Sequence, residues 1–161
     1  MAIETDFEKR RGVSRIELRP GFAQVHVSRL EENLMEARMQ VLRALADAQV
    51  SIDFLKLTPS GLSCLISEAK TEAVTTALES CGVHFSVRRG RSIVIAHAVN
   101  MRDEEGLIAR VVQQAIASTA RLDHICDMHD RMLIVVHGED AESLRAWLEG
   151  ALVETKAGGR E

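Results

Sequence analysis

The feature that most constrains how this chain can fold is a faint internal repeat. Displaced by 70 positions against itself, the sequence lays Ile52-Asp53-Phe54-Leu55 on Leu122-Asp123-His124-Ile125, with the two aspartates in register. The same shift lays "LSCLIS" (62–67) on "MLIVVH" (132–137), Val41-Leu42 on Val111-Val112, and Leu78 on Leu148. What repeats is the apolar pattern more than residue identity. A period of this size signals one supersecondary unit used twice, so each local reading has to serve both copies.

Both copies carry the same order of elements. A run rich in branched residues comes first, 22–28 ("FAQVHVS") and 92–99 ("SIVIAHAV"), as strands prefer. A helix follows. In the first copy Met35, Met39, Leu42, Leu45 and Ala46 recur at helical spacing, and Asn33 with Glu36 three residues later makes a capping box. In the second, Leu107, Ile108, Val111, Val112 and Ala115 do the same, with Asp103, Glu104 and Glu105 suited to the positive end of the helix dipole. Hairpins then pair 50–57 with 62–67 and 120–128 with 132–137, turning at "TPSG" and "HDR". A second helix closes each unit, 70–80 stopped by Gly82, and 140–152.

This β-α-β-β-α order lacks one strand of a ferredoxin-like βαββαβ unit, whose helices cover one face of an antiparallel sheet. After the first copy, 83–89 ("VHFSVRR") supplies it. After the second, "VETKAGGRE" is too polar and glycine-rich, whereas 13–19 ("VSRIELR") stands unassigned. The expected fold is therefore α+β, with two ferredoxin-like units. Residues 22–90 form the first, inserted in a second built from 13–19 plus 91–152, and 1–12 and 153–161 are expected to be flexible tails.

Composition narrows the function classes. The 161 residues suit one ordinary domain or two small ones, and 46% hydrophobic with 27% charged residues is the balance of a folded chain. Aromatics at 3% leave little material for stacking on bases or sugars, and a net charge of −4 offers no footprint for phosphate backbones. Nucleic acid and membrane partners are not expected. With no apolar run long enough to span a bilayer and no signal-peptide core in "MAIETDFEKRR", a cytoplasmic location is expected. Cys64, Cys81 and Cys126 form no C-x-x-C pair and read as reduced structural thiols.

The densest run of potential ligands is "LDHICDMHDRM" (122–132). On a strand, side chains alternate, so His124, Cys126 and Met128 share one face while Asp123, Ile125 and Asp127 share the other. A zinc site would need a third ligand from elsewhere, His97 being a candidate, and a thiol nucleophile would pair Cys126 with His124 or His129. A half-buried strand with a polar hairpin end outweighs both, so no catalytic residue, metal or cofactor is assigned. "RRGR" (88–91) reads as a solvated linker between the units, and Met35 with Met39 as helix core.

"RALADAQVSIDFL" (43–55), followed by "NMRDEEGLIARVV" (100–112), resembles the tandem ACT domains at the C-terminus of aspartate kinase. It also resembles the short free-standing regulatory β subunit of that enzyme, and the likeness covers roughly residues 12–150. The resemblance implies a first ACT unit inserted in the second. It also implies lysine or threonine effectors held between ACT units, and no catalytic residues, since the kinase domain is absent. The family pattern at the first strand-to-helix loop is an Asp followed by Pro-Gly, where this chain has Asn33-Leu34-Met35-Glu36; its Gln-Asn ending the second strand is here Leu57-Thr58. Met101, Arg102 and Gly106 keep more of the pattern in the second unit, with Glu105 in place of Pro. Carried over position by position, the implied effector-binding residues are Asn33, Met35, Glu36, Ser51, Asp53, Leu57, Thr58, Met101, Arg102, Gly106 and Met128.

The leading expectation is a non-catalytic regulatory protein that senses an amino acid, with a kinase catalytic subunit as a possible partner. Exposed sheet edges point to a homodimer. The altered loop motifs motivate one alternative, a ligand-free module that binds an enzyme partner. The 124–130 cluster motivates another, a metal- or thiol-dependent enzyme.

Overall fold

The computed structural model describes residues 11–153; most of the expected tails, 1–10 and 154–161, lies outside the described residues. In chain order the elements are β1 (Arg15–Ser28), α1 (Leu34–Asp47), β2 (Ile52–Thr58), β3 (Gly61–Ser67), a 3-10 turn (Glu68–Lys70) and α2 (Thr71–Ser80). There follow β4 (His84–His97), α3 (Leu107–Ala117), β5 (Leu122–Asp127), β6 (Arg131–His137) and α4 (Gly138–Leu152). The strand order is β2-β3-β1-β4-β6-β5. The pairs β1–β3, β2–β3 and β5–β6 are antiparallel. The fold is α+β, as the repeat predicts.

The chain divides into two compact units. Gly21–Arg91 form the insert, and the segments before and after it form the host. In the insert, alternate strand residues Ala23, Val25, Val27, Leu62, Cys64 and Ile66 meet Val41 and Leu45 of α1 and Val74 and Leu78 of α2. In the host, Ile16, Val94, Ala96, Met132, Ile134 and Val136 meet Leu107, Val111 and Ala115 of α3 and Leu144 and Leu148 of α4. The repeat pairs match: Val41 with Val111, Leu45 with Ala115 and Leu78 with Leu148 are all fully buried. Within each unit the helices cover one face of its strands, and residues of the other parity, Leu65, Ile93, Ile95, Leu133 and Val135, are buried as well.

Five sequence expectations need correction. Met35 and Met39 are not helix core but stand 65% and 42% exposed on α1. The segments 13–19 and 22–28 are not separate strands: β1 runs through Pro20 and Gly21, and β4 likewise joins 83–89 to 92–99 through Gly90. Gly21 at φ 87 and Gly90 at φ 66 supply a kink without ending the strand. There the core-facing parity changes, from even (Ile16, Leu18) to odd (Ala23, Val25) in β1, and from odd (Phe85, Val87) to even (Val94, Ala96) in β4. "RRGR" is consequently strand, not solvated linker. Arg91 is buried, and its Nη1 donates to the Arg89 carbonyl at 2.9 Å. Asn33 caps nothing with its side chain, because it adopts the left-handed region at φ 48. Val13 lies outside β1 and forms an isolated bridge with Val153.

A detail absent from simple alternation occurs in both copies. The register slips between Ile52 and Phe54 in β2, and between Leu122 and His124 in β5, so a bulge sits at Asp53 and at its repeat partner Asp123. The slip turns Leu122 and Ile125 together onto the host core although they are three residues apart. Among the described residues no helix is long and apolar enough to cross a membrane.

Candidate functional site

Each unit has a corner where the loop entering its first helix meets the tip of its hairpin. In the insert, Leu30 N–H donates to the Ser60 carbonyl at 2.8 Å, tying the loop to the β2–β3 turn. Arg38 on α1 reaches the same tip: Nε donates to the Gly61 carbonyl at 3.0 Å, and Nη2 makes a very short bond to the Thr58 carbonyl. A guanidinium thus occupies the carbonyls at the end of the hairpin. Asn33, Met35, Leu57 and Thr58 lie on the segments that meet here, whereas Glu36 faces a different hollow, lined also by Gln40, Arg43 and Asp47. Ser51 and Asp53 do not reach this corner, since they lie at the far end of β2, about 16 Å away along the strand for the five residues from Asp53 to Thr58.

The host corner is built differently. Ala98 N–H donates to the Asp130 carbonyl at 2.9 Å, which ties the loop after β4 to the β5–β6 turn. Arg102 Nε and Nη2 lie 3.3 and 3.2 Å from Asp127 Oδ2 at the end of β5. Gly106 at φ 78 is the N-cap of α3, whose first turn has no acidic residue. Its repeat partner in the insert is Glu36, an ordinary residue that stays helical, so α1 begins at Leu34, about a turn earlier, with that carboxylate in its first turn. The loss of one glycine therefore changes both the shape and the charge of the loop. Met101 is fully buried in the host core, so its side chain supports the loop from beneath. Met128 sits in the turn beyond β5, its N–H donating to the Arg131 carbonyl at 2.7 Å.

Two side chains that tie these corners together escaped sequence reasoning. Arg38 acts on backbone carbonyls some twenty positions away, which leaves no sequence trace beyond a charge within an apolar helix face. Asp127 stood out only as a member of the ligand-rich run, and its partner Arg102 lies 25 positions upstream.

The ligand-rich run offers little reactive chemistry. Burial first, and Asp127 second, push the Cys126 thiol up from its ordinary value, the opposite of what a nucleophile needs. Burial alone raises Cys64 to about 12. His97 is held by Glu17, 2.8 Å from Nε2 to Oε2. Among the described residues no three His, Cys, Asp or Glu side chains converge as metal ligands.

The chain matches no family model. Aspartokinase 1 of Bacillus subtilis is 26% identical over 101 residues, 63% of this chain and 25% of that protein, so the chain spans a quarter of the curated relative it matches. The ligand-free regulatory subunit of aspartate kinase from Thermus thermophilus superposes with a TM-score of 0.77 at 17% identity, covering 88% of this chain and 98% of that one. The chain has the fold of an aspartate kinase regulatory subunit. A structure of aspartokinase α and β subunits matches at TM-score 0.75 and 17% identity over 86% of this chain and 97% of that one. E. coli aspartokinase III in complex with lysine and aspartate matches at 0.73 and 16% over 94% and 35%. The two units are thus ACT units of the aspartate kinase regulatory type in architecture. Identities this low leave ligand and partner to the chemistry of the residues present.

Proposed function

We propose that this chain is a non-catalytic regulatory protein that senses a free amino acid of the lysine or threonine class, reads it at the host corner, and passes the signal to a kinase catalytic chain. The observation that carries the reading is the pairing of Arg102 with Asp127 beside the glycine-capped start of α3. A zwitterion has one group for each: its carboxylate suits the Arg102 guanidinium and the positive end of α3, and its ammonium suits Asp127. The likeness to aspartokinase III seen with lysine supports this ligand class, and the likeness to a structure of α and β subunits supports the partner.

The insert corner favours a second role. Arg38 already supplies a cation to the hairpin carbonyls, and Glu36 repels a carboxylate at the start of α1, so this unit serves association instead of sensing. A thermal-shift screen of the amino acids tests the sensing role, since a ligand that binds only the folded state stabilises it by about 2.7 kcal/mol at a hundredfold excess over Kd. Lysine or threonine should raise the melting temperature of the chain and lose that effect in Asp127→Asn. A screen in which no amino acid shifts the transition leaves only the association role.

A further inference from the structure

The two units share one plan but treat the cleft between their helices differently. In the host, Trp147 of α4 reaches across to α3, where its Nε1 donates to Gln114 Oε1 at 3.1 Å. The indole bridges the two helices and stays half in water, at 48% exposure. The shift of 70 positions places Ala77 on Trp147 and Ala44 on Gln114. The core registers agree with this match, since Leu78 and Leu148, and Val41 and Val111, are all fully buried. In the insert both side chains stop at Cβ, and a hollow of about 500 Å³ opens between α1 and α2. The half-buried Ala44, Ala48, Ala73 and Ala77 line it, together with Asp47 and Cys81. Its volume lies in the range of small-molecule sites.

A second hollow of about 340 Å³ adjoins the first, sharing Ala44, Asp47 and Cys81 with it and adding Glu36, Gln40 and Arg43. Two carboxylates and one guanidinium leave the pair of hollows acidic, and Asp47 is the charged residue that lines both. At the positions of Glu36, Arg43 and Asp47 the host has Gly106, Gln113 and Ala117. The shared fold therefore does not require these charges, just as it does not require the cleft to be empty.

We propose that the hollow between α1 and α2 of the insert binds a small aromatic amine, its flat ring lying among the alanines and its ammonium held by Asp47. The ring is read from the other copy. The same pair of helices, given an indole at this place, keeps it in the cleft, and a ring brought by a ligand removes the same apolar surface from water. The tail is read from the charges. A ring seated among Ala44, Ala48, Ala73 and Ala77 has Asp47 as the charged residue beside it, and a cation gains more from Asp47 and Glu36 than Arg43 takes away. An anionic tail meets the opposite balance. Both determinants lie within hollows of small-molecule size, so the occupant is a free molecule and not a side chain of another protein. This inference does not depend on amino-acid sensing.

Saturation transfer from the chain to the ring protons of tryptamine tests it, with indole and indole-3-acetate as companion probes. Tryptamine should bind with a Kd of about 1 mM, as suits a ring left half in water, and indole-3-acetate about fivefold more weakly or worse. Asp47→Ala, which writes the host residue into the insert, should weaken tryptamine about fivefold and leave indole unchanged. Ala77→Trp with Ala44→Gln, the host pair, should fill the hollow and abolish binding of all three probes, with unchanged circular dichroism and a melting temperature no lower than that of the parent chain. No transfer to tryptamine at about 10 mM overturns the proposal. So does an acid that binds as tightly as the amine, an Asp47→Ala chain that keeps full affinity for tryptamine, or a filled hollow that still binds it.

Discussion

Gly61 opens β3 where a side chain has no room, since a Cβ there would stand 1.9 Å from the Val27 carbonyl oxygen. Gly61→Ala must push β3 away from β1, and it should cost about 3 kcal/mol of stability. A urea midpoint equal to that of the parent chain would contradict this. Gly106 matters for a different reason. A Cβ at this position would meet nothing within 4 Å, and the φ of 78 is the requirement, so Gly106→Ala should cost only about 1 kcal/mol while altering the start of α3. The resemblance to a known family, and not spacing, pointed to the candidate loop residues. Arg38 was not legible, because its partners are backbone carbonyls, which every residue carries. The burial of Met101 was hidden too, since a methionine on a loop looks the same in sequence whether it points inward or outward. For Cys126, the raised thiol predicts slow alkylation by iodoacetamide at neutral pH, and fast, selective alkylation would revive the nucleophile reading.

At the level of elements, helices and hairpins were legible because their periods of 3.6 and 2 differ and recur in two copies. The continuity of β1 and β4 was not, because Pro20-Gly21 and Gly90 have the composition of chain breaks yet act as kinks. The bulges at Asp53 and Asp123 were likewise invisible, as a one-residue slip leaves a pattern open to either face. Polar ties fix some of these elements. Arg121 donates through its backbone N–H at 2.9 Å and its guanidinium at 2.8 and 3.1 Å to Asp140, joining the start of β5 to the first turn of α4. The side-chain bonds from Arg121, then its backbone N–H, hold the Asp140 carboxyl down to about 2 from an ordinary 3.8. A carboxyl lowered on folding stabilises the protein above its unfolded value and loses that contribution as pH falls toward the folded one. The urea midpoint should therefore drop between about pH 4 and pH 2 more steeply in the parent chain than in Asp140→Asn. The hydrogen bond from His97 lowers Glu17 in the same direction, so Glu17→Gln should flatten the acid side of the curve as well. Parallel curves for parent and variants would show that neither tie contributes.

For the whole molecule, the repeat made the plan readable: two ferredoxin-like units of one design, the first set within the second. What it could not show was how the copies diverged. The host keeps a glycine at the helix start and an arginine–carboxylate pair at its corner. The insert replaces the glycine with Glu36, fills its corner with Arg38 and presents a methionine and leucine flank. These differences motivate the proposal that the host reads an amino acid and the insert serves association. A titration of the nitrogen-15-labelled chain with lysine and with threonine, followed through the backbone amides, tests the sensing claim most directly. The account predicts shifts concentrated in residues 98–108 and 126–131 that disappear in Arg102→Ala. Shifts absent with both amino acids at about 10 mM, or unchanged in that variant, would contradict it.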